Sequence, residues 1–364
     1  MGGSGSVGFQ VAHAIQRYGY RSFFLSYDHP FKYLPEDTTN PTFYNVEPYA
    51  YPLFPFPLYE LSLAERIATV VCDQDIDIIH VHYGILFAHA ALQAQAAVRA
   101  TGRDVKVVTT FHGSDVLGFD LQHPGSVAPK HLNKLVVTES DAITFVSHDL
   151  REWSERLYGH NPTTAVIPNG VDIARFSPPT HHRNGTHIVH ISNYRPVKQT
   201  TMIPEIFAYV LHHHPEATLT LVGDGPDLSG VHQQLRDLGI PPDRYNLVGK
   251  MHNDALIQTL RTADVLLLPS QYESFSLVAL EAQACGVPVV AARVGGLPTV
   301  VADTRTGQLL DDAADVTEYG QAICELFADD HTHTEFRQAA RAHAEQFAEP
   351  AITQQYTTIY QQLK

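Results

Sequence analysis

Two glutamates, Glu273 and Glu281, stand on either side of a predicted helix start. Glu273 follows the apolar run Val265 to Leu268, and Glu281 lies inside a helical pattern that Gly286 and Pro288 bring to an end. A strand, a loop and a helix in this order present free amide N–H groups at the helix start, and such groups attract phosphate. A carboxylate repels phosphate, but it can bind sugar hydroxyls on either side of one. The block therefore favours a site for a nucleotide-sugar diphosphate.

A plainer interpretation of the same block is an ordinary buried helix with two exposed acids, and for Glu281 alone that interpretation is favoured. A second signal weakens it. Arg195 and Lys198 lie in a loop after the first strand of the second half, in a chain with only 24 lysines and arginines. Both cations could neutralise the charge that develops on a departing diphosphate, the guanidinium as a fork and the ammonium as a point charge. A solvated loop with stray basic residues is the alternative.

Two motifs of the first half could also bind a ligand. His112 emerges at the carboxyl end of the predicted strand Val105 to Phe111, although a single histidine in such a place is more often structural. The run Gly2-Gly3-Ser4-Gly5 leads into a helical pattern from Val7 to Tyr18. A glycine-rich turn that feeds a helix start is a cradle for an anion.

Length and composition exclude several classes of protein. A chain of 364 residues with 44% apolar and 17% charged residues predicts two globular domains with sizeable cores. The net charge of −15 argues against non-specific binding of nucleic acid or of an anionic membrane surface. Three cysteines without a C-x-x-C pair, and no signal peptide or apolar stretch of membrane length, predict a cytoplasmic protein.

Apolar runs alternate with helical patterns along both halves, which predicts parallel, doubly wound sheets in an α/β protein. A polar, proline-rich break from Ser177 to Gly185 is the best candidate linker. We therefore predict a first Rossmann-like domain over 1–177, a second over 178–345 and a C-terminal helix over 346–364 that packs back on the first domain. Residues 37–59, rich in Pro, Tyr and Phe, are predicted to form a loop. Ligands of such sheets bind at the carboxyl ends of the strands, so the cleft between the domains is the expected active site.

These motifs together resemble the family-4 retaining GT-B glycosyltransferases, over nearly the whole chain. The resemblance rests on Glu273 to Glu281 and, more specifically, on the strings from Ile79 to Ile85, Thr110 to Asp115, Glu139 to Ala142 and His190 to Lys198. It implies a GT-B fold, in which two Rossmann-like domains face each other across a cleft. It also implies catalytic roles for His112, Arg195, Lys198 and Glu273, donor contacts by Gly3, Asn193, Lys250, Met251, Ser276, Leu277, Val278 and Glu281, and acceptor contacts by Ser4, Tyr83, Ser114 and Lys134.

Within the family, the resemblance is strongest to members that move N-acetylglucosamine from UDP-N-acetylglucosamine to L-malate. It implies retention at the sugar carbon without a metal or another cofactor, because cations and a helix start replace the metal. A related transferase with an inositol phosphate or a glycan as acceptor, and a pseudoenzyme that only binds nucleotide sugars, stay open as alternatives. A homo-oligomeric state also stays open.

The sequence departs from the family pattern in four places. Lys134 replaces an arginine of the acceptor site, and lysine cannot hold a carboxylate bidentately. Ser276 replaces a glycine beside the phosphates, and Ser114 replaces a threonine. The glycine-rich loop follows the first strand of the sheet in the family, whereas this sequence begins at the loop. We therefore expect that the first strand is missing and that roughly ten or more preceding residues belong to the protein.

Overall fold

A computed structural model describes residues 3–28, 39–50, 57–117, 127–180, 185–251 and 253–364. Short strands alternate with helices along this part of the chain, as the apolar runs predict. The strands are β1 Phe23–Ser26, β2 Thr42–Asn45, β3 Ile78–His82, β4 Lys106–Phe111, β5 Ala142–Phe145, β6 Thr164–Val166, β7 His187–Ser192, β8 Thr218–Gly223, β9 Tyr245–Gly249, β10 Val265–Leu268, β11 Val289–Ala292 and β12 Gly307–Leu310. The α-helices are α1 Gly3–Ala14, α2 Tyr59–Gln74, α3 His89–Ala100, α4 Val127–Glu139, α5 His148–Tyr158, α6 Ile203–His213, α7 Leu228–Asp237, α8 Asn253–Thr262, α9 Leu277–Ala284, α10 Leu297–Val300, α11 Val316–Phe327, α12 Asp330–Ala344 and α13 Glu349–Leu363.

The chain divides into two compact units, Met1–Gly170 with Glu349–Lys364 and Val171–Ala348. The first boundary lies before the predicted linker, because the residues after Gly170 already pack in the second unit. The guanidinium of Arg341 donates to the carbonyl oxygens of Ile173 at 3.1 Å and Phe176 at 2.8 Å. Within the predicted linker, residues 181–184 lie outside the described residues.

Unit 1 contains two parallel sheets. The larger has the strand order β3-β4-β5-β6, and the smaller pairs β1 with β2. Strand β2 corrects the prediction of a loop over residues 37–59, of which 37–38 and 51–56 lie outside the described residues. Helix α1 begins at Gly3 rather than at Val7, so that Ser4 and Gly5 are helical, while Gly2 lies outside the described residues.

The last helix, α13, belongs to unit 1. The carboxylate of Glu349 accepts hydrogen bonds from Gln10 at 3.2 Å and from Arg17 at 2.9 Å, and both of those residues follow the start of α1. At the other end of α13, the hydroxyl of Tyr360 lies 2.6 Å from Nδ1 of His80 on β3. Helix α13, from the end of the chain, thereby connects the N-terminal segment that begins with α1 to the sheet of unit 1.

Unit 2 is one doubly wound parallel sheet with the strand order β12-β11-β10-β7-β8-β9. Chain order runs outward from the centre in both directions, so the topological switch point lies between β7 and β10. Apolar side chains of β7, β10, α6 and α11 form a fully buried core, with Ile188, Leu267, Phe207 and Ile323 among them. The carboxyl ends of all six strands lie at one edge of this sheet.

Among the described residues, no helix combines the length and the apolar character that crossing a membrane would require.

Candidate functional site

An ion pair bridges the switch point of unit 2. The ammonium of Lys198, in the turn after β7, lies 2.8 Å from Oε1 of Glu273, in the loop after β10. The hydroxyl of Ser270 donates to the same oxygen at 3.0 Å. Only 20% of the Lys198 side chain and 13% of the Glu273 side chain are exposed, which strengthens their attraction relative to a surface pair. Oε2 of Glu273 has no partner among the described residues, so this oxygen is available to a ligand.

Two glycines that sequence reasoning did not select shape the Glu273 loop. A Cβ atom on Gly295 would lie 2.1 Å from the carbonyl oxygen of Glu273, and one on Gly296 would lie 2.2 Å from that of Ser274. The amide of Gly296 also donates to the carbonyl of Glu273 at 2.7 Å. The signal in the sequence is a pair of adjacent glycines shortly after the strand β11, which indicates close approach of two backbones.

A second glycine pair supports the loop that carries Arg195. Cβ atoms on Gly223 and Gly225 would each lie 1.8 Å from a carbonyl oxygen, of Ser192 and Asn193 respectively. The sequence analysis selected neither glycine. The function of the pair is to let the β8 loop press against the β7 loop, so the backbone that carries the cations has little freedom.

Ser276 caps helix α9 in a strained conformation. Its φ is 79° and its ψ is 85°, in the left-handed region that glycine adopts readily and serine does not. Its hydroxyl accepts a hydrogen bond from the amide of Ala279 at 3.4 Å, and its carbonyl accepts one from Leu280. The amides of Leu277 and Val278 therefore have no acceptor among the described residues and can receive an anion.

The other predicted donor residues of unit 2 are spread over the same edge of the sheet. Arg195 is exposed and makes no ion pair within the described part of the chain, and Asn193 beside it is exposed as well. Lys250 is exposed and lies 3.6 Å from the carboxylate of Asp224. Met251 accepts a weak hydrogen bond at its sulfur from Thr259, and Glu281 is half-buried on α9.

In unit 1 the structure brings together two of the predicted acceptor residues. The hydroxyl of Tyr83 lies 3.2 Å from that of Ser114. Tyr83 directly follows β3 with a φ of 111°, a conformation that L-residues rarely adopt, and its amide donates to the carbonyl of Thr110 at 3.0 Å. Strained backbone of this kind persists where the surroundings impose it, and it is frequent at ligand sites.

The carboxylate of Asp115 organises both loops of this pair. It is fully buried and accepts from the amides of Gly84 at 2.9 Å, Gly113 at 2.7 Å and His112 at 3.1 Å. Burial raises the pKa of Asp115, and the three amides oppose that rise. Asp115 thus joins the residue after Tyr83 to the segment that carries His112, a function that the sequence analysis did not assign to it.

His112 belongs to a cluster of three imidazoles. Its Nε2 lies 3.0 Å from Nδ1 of His82, and the ring of His82 packs at 4.3 Å against that of His80. The Nε2 of His80 lies 2.7 Å from the hydroxyl of Thr110. Burial lowers the pKa of His112 to about 4 and that of His80 to about 3, and burial with two neighbouring imidazoles lowers the pKa of His82 well below its usual value. All three rings are therefore neutral at neutral pH. The signal in the sequence is the spacing of His80 and His82, because residues at alternate positions of a strand face the same side.

Three further predicted residues are not joined to this pair. Gly3 and Ser4 lie in the first turn of α1, where Ser4 is half-buried and makes no hydrogen bond through its side chain within the described chain. Lys134 is exposed on α4, next to Asn133, whose amide donates to the carbonyl of Asp115 at 2.6 Å. In the described ranges, no group of three His, Cys, Asp or Glu side chains is arranged to hold a metal ion.

Comparison with known proteins gives consistent results along the whole chain. The family model described as Glycosyltransferase Family 4 matches residues 1–175, and the model described as Glycosyl transferases group 1 matches residues 175–343. The chain is 35% identical to the N-acetyl-alpha-D-glucosaminyl L-malate synthase of Bacillus anthracis, over 99% of this chain and 94% of that one. It is 31% identical to a D-inositol 3-phosphate glycosyltransferase of Jonesia denitrificans, over 78% of this chain and 72% of that one.

Solved structures share the fold at low identity. HepE of Anabaena in complex with UDP-glucose superposes with a TM-score of 0.81 at 22% identity, covering 100% of this chain and 96% of that one. Sucrose-phosphate synthase of Thermosynechococcus elongatus superposes with a TM-score of 0.80 at 21% identity, covering 97% of this chain and 92% of that one.

Substitutions of Ser276 test whether its positive φ destabilises the folded protein. Ser276→Gly should raise the free energy of unfolding by about 1 kcal/mol, because glycine relieves the positive φ and costs only tenths as a helix cap. Ser276→Ala is the matched control, since it keeps the strain and removes the cap, and it should lower the same quantity. Denaturant unfolding of the three proteins measures both changes. A destabilised Ser276→Gly variant would show that the backbone here is not strained.

The neutral histidine cluster predicts a loss of stability in acid. The unfolded chain takes up protons near pH 6.5 that the folded His80, His82 and His112 accept only at lower pH. The contribution of these three histidines to stability is therefore full above about pH 6.5 and falls toward about pH 4, by at most about 1.4 kcal/mol per pH unit for each of them.

Urea unfolding measured between about pH 7.5 and about pH 4.5 gives this slope. His82→Asn should flatten it, whereas the control His131→Asn, at an exposed site of α4 without an ion pair within the described ranges, should change it much less. Equal slopes in the wild-type protein and His82→Asn would contradict the assignment of the acid sensitivity to this cluster.

Proposed function

The chain belongs to the family-4 GT-B glycosyltransferases and is thus a nucleotide-sugar-dependent transferase, and we propose that it moves N-acetylglucosamine from UDP-N-acetylglucosamine to the hydroxyl of L-malate. This would be the first step of bacillithiol biosynthesis. The observation that carries the proposal is the match to the malate synthase of Bacillus anthracis at 35% identity over nearly the full length of both chains.

The donor is assigned to the strand ends of unit 2. Lys198 and Arg195 would neutralise the diphosphate, with the amides of Leu277 and Val278 at the start of α9 as further donors. Oε2 of Glu273 would accept a hydroxyl of the sugar, since its other oxygen is held by Lys198 and Ser270.

The rest of the nucleotide falls to residues around that centre. Glu281 would bind the ribose, and the backbone at Lys250 and Met251 would bind the base. Gly3, Asn193 and Ser276 complete the proposed donor contacts.

The acceptor is assigned to unit 1. The neighbouring hydroxyls of Tyr83 and Ser114 would bind malate, with Ser4 as a third hydroxyl and Lys134 as a cation for a carboxylate. His112 would contact the donor sugar. Its low pKa keeps it neutral at neutral pH, so it can exchange hydrogen bonds with a sugar hydroxyl without adding a charge.

The proposed reaction retains the configuration of the sugar carbon. The bond from that carbon to the leaving phosphate breaks, and the bond to the malate oxygen forms on the same face. The hydroxyl proton of malate passes to an oxygen of the leaving diphosphate, whose growing charge Arg195 and Lys198 stabilise. No metal enters this scheme.

A phosphorylated acceptor is the second candidate, because several relatives of similar identity are D-inositol 3-phosphate glycosyltransferases. The loops that carry Tyr83 and Ser114, residues 83–88 and 112–126, contain no lysine or arginine, and Lys134 is the one cation among the proposed acceptor residues. A phosphate dianion would want several cations there, which makes malate the better-supported acceptor.

Mass spectrometry of the products decides between these acceptors. The enzyme is incubated with UDP-N-acetylglucosamine and L-malate, D-malate or an inositol phosphate, each with and without a chelator. We expect an N-acetylglucosaminyl adduct of L-malate in the α configuration, formed equally with and without the chelator. Turnover with the inositol phosphate alone would overturn the acceptor, and activity that magnesium restores after chelation would overturn the metal-free scheme. Binding of UDP in calorimetry without any product would indicate a pseudoenzyme.

Removal of one cation tests the diphosphate assignment. Lys198→Ala should lower kcat by about 10²–10³, since it removes a charge that stabilises the leaving group and leaves Glu273 without its partner. Lys106→Ala is the matched control, because Lys106 is also ion-paired, to Asp104 at 2.7 Å, but lies at the start of β4. The control should keep the kcat of the wild-type enzyme. An undiminished kcat in Lys198→Ala would remove Lys198 from the proposed mechanism.

A further inference from the structure

His190 connects the two strands that flank the switch point of unit 2. Register pairs between β7 and β10 occur only at Ile188 with Val265 and at Val189 with Leu266. One residue further along each strand, Nδ1 of the fully buried His190 lies 2.8 Å from the carbonyl oxygen of Leu267. A side chain thus continues the connection between the two strands where their register ends.

The hydrogen bonds of His190 can have only one direction. The carbonyl of Leu267 has no proton to give, so Nδ1 of His190 carries one. Burial lowers the pKa of His190 to about 4, and the ring is therefore neutral, with an unprotonated Nε2. The hydroxyl of Ser192, 2.7 Å away, must donate to Nε2, which leaves its lone pairs for the amide of Tyr194 at 3.2 Å.

This chain of bonds ends at the residue that begins the cationic loop. Tyr194 has a φ of 46°, its ring is fully buried against the edge of the His190 ring at 5.6 Å, and its carbonyl accepts from the amide of Asp227 at 3.0 Å. Arg195 follows directly, and its carbonyl accepts from the amide of Lys198 at 2.8 Å. The conformation of Tyr194 therefore sets the direction in which both cations leave the sheet.

We propose that His190 is a positioning residue that acts through Ser192 and Tyr194 to hold Arg195 and Lys198 against the diphosphate of the donor. The inference rests on the proposed function, whose donor site it deepens. The contribution of His190 to binding is confined to the part of the nucleotide that the two cations contact. A change at His190 should therefore affect the binding of a nucleoside diphosphate and not that of a nucleoside monophosphate.

Strand β7 offers a matched control at its opposite end. His187 makes the same pair of contacts, with Nδ1 3.0 Å from the carbonyl of Thr262 and Nε2 2.8 Å from the hydroxyl of Thr220. Ser192→Ala and Thr220→Val each remove the hydroxyl that is hydrogen-bonded to Nε2 of a histidine on β7. Only Ser192 lies at the carboxyl end of that strand.

Calorimetry with UDP and with UMP measures the effect without any acceptor. Ser192→Ala should weaken UDP binding about tenfold, as the loss of one good hydrogen bond does, and leave UMP binding unchanged. Thr220→Val should change neither. Equal losses for UDP and UMP in Ser192→Ala, no loss for UDP, or the same loss in Thr220→Val would overturn the proposal.

A variant of the histidine itself tests the order of the chain. In His190→Asn the amide nitrogen can take the place of Nδ1 and keep the bond to Leu267, while the bond to Ser192 is lost. We expect the UDP defect of Ser192→Ala and no larger defect in the double variant, whereas additive defects would overturn the proposal. If His190→Asn does not fold, Ser192→Ala alone decides. A failure to glycosylate malate would overturn the acceptor assignment only. The ratio of UDP to UMP affinity would still test the positioning role of His190.

Discussion

The proposed donor site depends on how two central strands of unit 2 are held together where their backbone pairing stops. Strands β7 and β10 meet at the switch point of unit 2, and there a doubly wound sheet offers a crevice to a ligand. Such a crevice can bind a ligand only if the loops after β7 and β10 are held in place. Among the described residues, these contacts cross it: the His190 side chain to the Leu267 carbonyl, the amide of Gln271 to the carbonyl of Val197, and the ammonium of Lys198 to Glu273.

Unit 1 solves a similar problem with different chemistry. Its loops after β3 and β4 are joined by one buried carboxylate, Asp115, which three backbone amides satisfy. Beside it, three imidazoles pack against one another, none paired with a carboxylate in the described ranges, and stay neutral. The arrangement keeps the loops of Tyr83 and His112 in register, and its cost is a dependence of stability on pH.

The architecture could be predicted from the sequence because most of the strands are short apolar runs followed by a helical pattern, as at Val265 to Leu268, although β6 and β12 were not predicted. Strand β2 was missed because Thr42–Asn45 is half polar and lies among prolines and aromatic residues. The start of α1 was missed because glycines at a helix start read as a loop.

The candidate site was predicted less completely. Residue types and spacing selected Lys198 and Glu273, but their contact depends on the neighbourhood of β7 and β10, which no local pattern encodes. Gly295 and Gly296 support Glu273 only through the proximity of another loop, and His190 matters through a hydrogen bond to a strand far away in sequence. Such residues become visible only when the strand order is known.

Arg195 and Lys198, the two cations proposed to bind the diphosphate, differ in their surroundings, and this has a consequence for the medium in which the protein works. Arg195 is exposed, so dissolved ions screen its field within about 8 Å at physiological ionic strength. Lys198 is largely enclosed and paired with Glu273, so the same ions reach it much less. A rise in salt concentration would therefore weaken the first attraction for an approaching diphosphate more than it weakens the final grip. If these two cations bind the donor as proposed, salt should slow its association more than it speeds its dissociation.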